Sequence, residues 1–346
     1  MQSSQDKALN LYPIDYPFET LYSRAKSKKL ILNPDFQRKY KWDKDGWERS
    51  SKFIESCLMR IPLPSCYFAE EDDGTHLVID GVQRITTIQR FFDDEFALEG
   101  LTTFKDLEGK KFSELGKYKA ELESTTIRCI VLRKENPKNL ISEIFSRLNQ
   151  GAVELSDQEI RHALYPGSLD KLLESLGNVE EVKNFGIGPR SEKSKNSLES
   201  QEQVLRFFAL KGDLNDYEDK LSKYLDSYME KNQKISSREA KSLANEFIET
   251  LEKCKIVFGG DIFIDTTKQR RRQSMVYYDL LMHSLIPIDK AVIEKKKTNI
   301  KSAFTDLCKN KDFQRSLSGG LQNKASILKR RVLWEKLLEK AIHGRK

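Results

Sequence analysis

Apolar positions recur at two different periods in the first half of the chain and at one period in the second. Phe36, Arg38, Tyr40 and Trp42 alternate with Gln37, Lys39 and Lys41. That period of two predicts a strand, entered through an Asn33-Pro34 step that favours extended backbone. Trp47, Ser51, Ile54, Leu58 and Ile61 then recur at helical spacing, until Pro62 and Pro64 stop the helix. Cys66-Tyr67-Phe68 and Leu77-Val78-Ile79 flank Glu70-Glu71-Asp72-Asp73-Gly74, which predicts a hairpin with a loop of four or five residues. A helix follows from about Arg84, with Ile85, Ile88, Phe91 and Phe92 facing inward. Ile127, Cys129 and Val131 predict a further strand, and Ile141, Ile144, Phe145 and Leu148 a further helix. Ser156-Asp157-Gln158-Glu159 has the form of a capping box and starts the next helix, which ends near Pro166-Gly167.

Beyond this point the pattern is almost wholly helical. It is interrupted at 186–197, where glycine, proline, serine and charge gather without periodicity. The fold class is therefore α+β: a mixed domain over residues 11–165 and a helical domain over 166–346. A chain of 346 residues suffices for two such cores.

Composition narrows the function classes. Charged residues make up 33% and hydrophobic ones 38%, and no apolar run approaches a membrane span. The first residues lack the basic start and apolar core of a secretion signal. Cys57, Cys66, Cys129, Cys254 and Cys308 form no Cys-x-x-Cys pair, so a reducing cytoplasm is expected, with neither a disulfide framework nor a zinc cluster. His76, His162, His283 and His343 are too dispersed for a metal triad or a nuclease core. The net charge of +7 permits a polyanionic partner without demanding one.

The candidate chemistry centres on Asp80-Gly81-Val82-Gln83-Arg84. A strand that turns at once into a helix exposes free N–H groups, which attract anions, phosphate above all. An arginine there is locally disfavoured by up to about 1 kcal/mol unless an anion arrives. Gly81 allows close backbone approach, and Thr86 and Thr87 add hydroxyls. The plainer alternative is that Asp80 and Gln83 form a capping box and Arg84 pairs with a nearby acid. Arg38 lies on the aromatic side of its strand and needs either a partner or a snorkelling stem. Arg147 and Asn149 stand at a helix end, where dipole and turn chemistry also account for them. Two basic runs are candidates for a DNA backbone: Lys268, Arg270, Arg271 and Arg272, then Arg330 and Arg331. The alternative for each is a solvated helix face.

Taken in order, NPDFQRKYKW, FIESCLMRIPLPSCYF, VIDGVQRITTIQRFF and IFSRLNQGAVELSDQEIRHALYPG resemble the GmrS-like domains of type IV modification-dependent restriction systems. The resemblance is clear over about residues 11–165. It continues more weakly through 202–210, 263–281 and 318–338. It implies a fold similar to the ParB N-terminal domain and sulfiredoxin, with nucleotide bound and hydrolysed at a strand-to-helix turn. The family's central motif, Asp-Gly-Gln-Gln-Arg-Leu-Thr-Thr, falls on Asp80, Gly81, Gln83, Arg84, Thr86 and Thr87, with Val82 replacing its first glutamine. Its Phe-Gln-Arg falls on Phe36, Gln37 and Arg38, its Arg-x-Asn on Arg147 and Asn149, and its Glu-x-Arg on Glu159 and Arg161.

The resemblance thus implies a subunit of a phage-defence system that binds a nucleoside triphosphate with Mg2+ and hydrolyses it. Asp80, Gln83 and Arg84 would stand at the reacting phosphates. The partners implied are DNA, including modified phage DNA, and a separate nuclease or other defence subunit, because the paired histidines of a His-Asn-His nuclease are missing here. The alternatives are a ParB-like, nucleotide-gated DNA-binding or sensor protein without turnover, and a nuclease acting alone.

Overall fold

The computed structural model describes residues 9–32, 40, 42–43, 46–148, 156–186 and 198–344. The chain divides into two compact units, Met1–Leu155 and Ser156–Lys346. The helix begun by Ser156, read from the sequence as the end of the first domain, falls in the second unit.

The first unit is built on a five-stranded sheet of order β1-β5-β3-β4-β2. Its strands are β1 (Leu11–Pro17), β2 (Leu30–Ile31), β3 (Cys66–Glu70), β4 (His76–Asp80) and β5 (Thr126–Leu132). β3 and β4 form the expected hairpin, closed by Glu71 N–H donating to the Thr75 carbonyl at 2.9 Å. In β5, Ile127, Cys129 and Val131 are buried, as their alternation predicts. Leu77, Val78 and Ile79 are all buried, which fits a strand with a neighbour on each side.

Helices α1 (Phe18–Lys26), α2 (Glu48–Leu58), α3 (Val82–Phe92), α4 (Lys117–Ser124) and α5 (Lys138–Leu148) accompany the sheet. Phe18, Ile54, Phe68, Ile85, Ile88 and Phe91 lie at the heart of its core. The chain after α3 is held by Glu55 of α2. Its buried carboxylate accepts the N–H groups of Thr102, Thr103 and Phe104 at 3.0, 2.6 and 3.1 Å. Burial would raise its pKa, yet these bonds prevail and hold the carboxyl below its ordinary range.

The strand expected over 36–42 is not found where the structure describes it. Tyr40 has no regular conformation and Trp42 lies in a turn; Phe36 to Lys39 and Lys41 lie outside the described residues. The reason is that Tyr40 is turned inward. Its hydroxyl lies 2.7 Å from Ser50 Oγ on α2 and 2.7 Å from Thr87 Oγ1 on α3. Its apolar spacing serves packing against two helices rather than a ladder.

Among its described residues the second unit is helical apart from one isolated bridge, between Ile264 and Gln273. Its helices include α6 (Asp157–Leu164), α7 (Ser168–Gly177), α8 (Glu180–Lys183), α9 (Glu199–Leu210), α10 (Leu221–Asn232), α11 (Ser237–Phe258), α12 (Met275–Ser284), α13 (Lys290–Lys309), α14 (Lys311–Arg315) and α15 (Lys324–His343). Phe208, Phe247, Tyr278, Leu281, Phe304 and Trp334 are buried in it, and Trp334 Nε1 donates to Ser284 Oγ at 2.7 Å. No helix among the described residues is long and apolar enough to cross a membrane. The α+β class expected from the sequence is the one observed.

Candidate functional site

The sequence around Asp80 folds as a strand, one glycine and a helix. β4 ends at Asp80, Gly81 takes φ +103°, and α3 begins at Val82. A Cβ at Gly81 would lie 2.4 Å from Cys66 Sγ, so the turn is pressed against the start of β3 and admits only glycine. Cys66 is itself the register partner of Cys129 on β5. The hydrogen bond to Cys66, together with burial, pushes the Cys129 thiol up. The turn therefore sits on packed, apolar ground.

Asp80 does not cap the helix. The residue before the first turn is Gly81, which has no side chain to do so, and the Asp80 carboxylate reaches Arg84 instead, with Arg84 Nη2 2.7 Å from Oδ2. Arg84 also donates to the Pro64 carbonyl and, at 3.3 Å, to the Ser65 carbonyl. A cation in the first turn of a helix is thus offset by one carboxylate and two carbonyl dipoles. Its side chain remains 13% exposed and that of Asp80 38%, so the pair is a lining of the surface rather than a sealed core contact.

The two threonines of the motif differ. Thr87 Oγ1 donates to the Gln83 carbonyl at 2.8 Å and meets Tyr40, which joins α3 to the segment that follows Gln37 and Arg38 in the chain. Thr86 is buried, and its hydroxyl has no hydrogen-bond partner among the described residues. Val82 packs half-buried against the core, so the residue that departs from the family motif serves packing here.

A residue not singled out from the sequence completes this face. Arg90, two turns along α3, lies over the Tyr40 ring at 4.5 Å and the Trp47 ring at 5.5 Å, and pairs with Asp43 at 2.8 Å. The only signal for it was the density of aromatic residues at 40–47.

Gln37, Arg38 and Asn149 lie outside the described residues. Arg147, on the last turn of α5, is exposed and pairs with Glu143 of its own helix. Glu159 and Arg161 belong to the second unit. Glu159 makes the expected capping box, its carboxylate accepting Ser156 N–H at 2.7 Å. Arg161 is 1% exposed and donates to Asp226 at 2.7 Å, Glu202 at 3.0 Å and Ser222 Oγ at 2.9 Å, tying α6 to α9 and α10. Burial raises the Asp226 pKa in spite of this partner.

The basic runs separate sharply. Lys268 to Arg272 are exposed on a loop, not a helix, between the bridged residues Ile264 and Gln273. Arg330 and Arg331, expected on an exposed face, are buried. Arg330 donates to the Ser316 carbonyl at 3.0 Å and the Leu321 carbonyl at 2.5 Å; Arg331 donates to the carbonyls of Leu210 and, at 3.1 Å, Gly212. Their guanidinium groups satisfy carbonyls at the ends of other segments, Arg331 capping the C-terminus of α9. Neither stands on a surface that a DNA backbone could reach.

His283 is half-buried, and desolvation with Arg331 nearby pushes its pKa down to about 4. Among the described residues no group of three or more His, Cys, Asp or Glu side chains is placed to hold a metal ion.

No curated protein and no solved structure shows a significant match to the chain. A family model does match: the GmrSD restriction endonuclease, N-terminal domain, over residues 18–166. That span contains strands β2 to β5, the Asp80–Arg84 turn and the Tyr40–Thr87 contact described above, so this part of the chain is similar to a GmrSD restriction endonuclease N-terminal domain.

Proposed function

We propose that this protein is a nucleotide-binding and nucleotide-hydrolysing subunit of a restriction-type phage-defence system that acts on DNA, with strand cleavage performed by a partner chain. The observation that carries the reading is the Asp80–Arg84 turn: a partly exposed guanidinium held in the first turn of a helix, after a glycine whose left-handed conformation makes the strand-to-helix turn. Phosphate oxygens suit this place, because the helix end and Arg84 attract the same charge. The Thr86 hydroxyl, without a partner among the described residues, fits a motif completed by a ligand, since a buried hydroxyl left unpaired costs about 1–3 kcal/mol.

Asp80 is the carboxylate at the turn, and a lone carboxylate is enough for Mg2+ that arrives on phosphates. In this reading a triphosphate draws Arg84 away from Asp80. The freed carboxylate would hold the metal ion or orient the attacking water, and Gln83 would stand beside the reacting phosphates. Positioning and charge neutralisation supply most of the catalysis, as in other phosphoryl transfers. Gln37, Arg38, Arg147 and Asn149 are proposed as further nucleotide contacts on the family motif alone.

One observation favours a second reading, a nucleotide-gated DNA-binding protein without turnover. Asp80 is already paired, and no ready-made metal cluster exists among the described residues. Phosphate release by the full chain, with each of the four triphosphates and with and without duplex DNA, separates the two. Turnover abolished by Asp80→Asn supports the hydrolase. Tight triphosphate binding with no phosphate released supports the switch.

A further inference from the structure

Two basic stretches of the second unit, far apart in sequence, meet at one carboxylate. The first is the loop that carries Lys268, Arg270, Arg271 and Arg272. Its base is fixed by Asp265, which is 3% exposed and accepts Thr267 N–H at 2.9 Å, Thr267 Oγ1 at 2.5 Å and Tyr277 OH at 3.2 Å. The loop is thus a built feature rather than a frayed one. Arg270 and Arg272 make no ion pair among the described residues. Among the described residues Arg271 reaches one carboxylate, Asp261, whose Oδ1 lies 3.8 Å away.

The second stretch is on α13. Lys297 and Lys301 stand one turn apart, both exposed, and line a shallow cavity of about 480 Å³ with Thr298, Ser302 and Thr305. Lys301 Nζ lies 3.4 Å from Oδ2 of the same Asp261. One carboxylate therefore has a loop arginine on one oxygen and a helix lysine on the other.

This arrangement is costly in the isolated chain. Like charges at i and i+4 repel by a few tenths of a kcal/mol, and neighbouring exposed arginines add to that. The carbonyl end of α11, which forms the other wall of the cavity, accounts for one nearby cation but not for the row. Two of these cations, Arg271 and Lys301, share Asp261, and Lys268 lies 3.8 Å from the buried Asp265; Arg270, Arg272 and Lys297 make no ion pair among the described residues. A polyanion relieves that excess, and hydroxyls beside the lysines add neutral phosphate donors.

We propose that loop 268–272 and the Lys297–Lys301 face of α13 form one continuous surface for the phosphate backbone of duplex DNA. This rests on the reading that the protein acts on DNA, and it adds α13 to the interface. Lys297 and Lys301 belong to the second unit, take no part in the proposed nucleotide site and leave nucleotide binding unchanged when replaced.

The test is fluorescence anisotropy of the full chain with two labelled duplexes of unrelated sequence, over a range of salt. Variants K297Q/K301Q and R270Q/R271Q/R272Q are compared at matched melting temperature. Removing one cation that neutralises a phosphate should flatten the logarithmic salt slope by about one unit, so the lysine pair by about two, equally for both duplexes. Asp261→Asn removes the carboxylate facing both halves and should tighten binding roughly threefold at low salt; a structural role would not tighten it. A wild-type slope in K297Q/K301Q, with a flattened slope in the loop variant, overturns the inference and leaves the DNA reading standing. A wild-type slope in both variants overturns the role of the loop as well. Binding of anionic vesicles with no duplex binding by the wild-type chain overturns the assignment to DNA altogether.

Discussion

Arg84 occupies a position that helix electrostatics disfavour, and its surroundings show how the cost is met. Asp80 and two carbonyls offset the charge while leaving part of the guanidinium open. Arg84→Ala should lower triphosphate affinity by roughly 10- to 100-fold, the range of a charge-assisted hydrogen bond. Its melting temperature should stay within a few degrees of wild type, because Asp80 is partly solvated. Calorimetric titration beside a melting curve checks both. Gly81 makes a sharper demand. Gly81→Ala combines a positive φ with a Cβ 2.4 Å from Cys66 Sγ, and should cost on the order of 2–4 kcal/mol. Adding Cys66→Ala should restore part of this in denaturant unfolding, since the sulfur leaves but the backbone strain stays. No recovery in the double variant would show that the clash is not with that sulfur. That Asp80, Gly81 and Arg84 stand at a strand-to-helix turn was legible in the sequence. That Asp80 turns to Arg84 rather than capping the helix was not, because the choice depends on Gly81 taking a left-handed conformation against Cys66.

At the scale of elements, the hairpin of β3 and β4, the strand β5 and the capping box of α6 follow from local patterns, and all are present as read. The segment around Tyr40 does not, because its alternation reflects packing on α2 and α3 that no short window contains. Arg330 and Arg331 mislead for a related reason. α15 carries basic residues around most of its circumference, so its sequence does not mark which cations turn inward to carbonyls. The Glu55 carboxylate gives the clearest element-level test. Its folded pKa lies below the ordinary value of about 4.3. It therefore contributes stability above that pH, and the contribution fades as pH falls through the folded pKa. Glu55→Ala should cost about 2–4 kcal/mol near neutral pH, since three N–H groups lose a charged acceptor. Unfolding curves of wild type and Glu55→Gln should converge as pH drops below about 4. A gap that widens on acidification would contradict this sign. Tyr40→Phe should cost about 1 kcal/mol by leaving Ser50 and Thr87 without their shared partner, readable in urea unfolding.

At the scale of the molecule, the two units divide the chemistry. The first carries the Asp80–Arg84 turn, within the span that matches the family; the second carries the exposed basic loop and Lys301 of α13, which shares Asp261 with it. The sequence displays the loop because its cations are nearly consecutive. It hides the link to α13, which only the shared Asp261 reveals. The buried Arg161 network has a structural consequence within the second unit. Arg161→Met should destabilise by about 3–5 kcal/mol, because Glu202 and Asp226 lose their common cation in a half-buried site. Thermal unfolding that leaves the first unit's transition unmoved would confirm that its role is internal to the second. The central claim, however, is that a triphosphate binds at the Asp80–Arg84 turn. The most direct measurement is calorimetric titration of the full chain with each of the four triphosphates and Mg2+, run on wild type and on an Arg84→Ala variant of matched melting temperature. The account predicts saturable binding of at least one triphosphate by wild type and its loss in the variant. Equal binding by both proteins, or none by wild type, would contradict it.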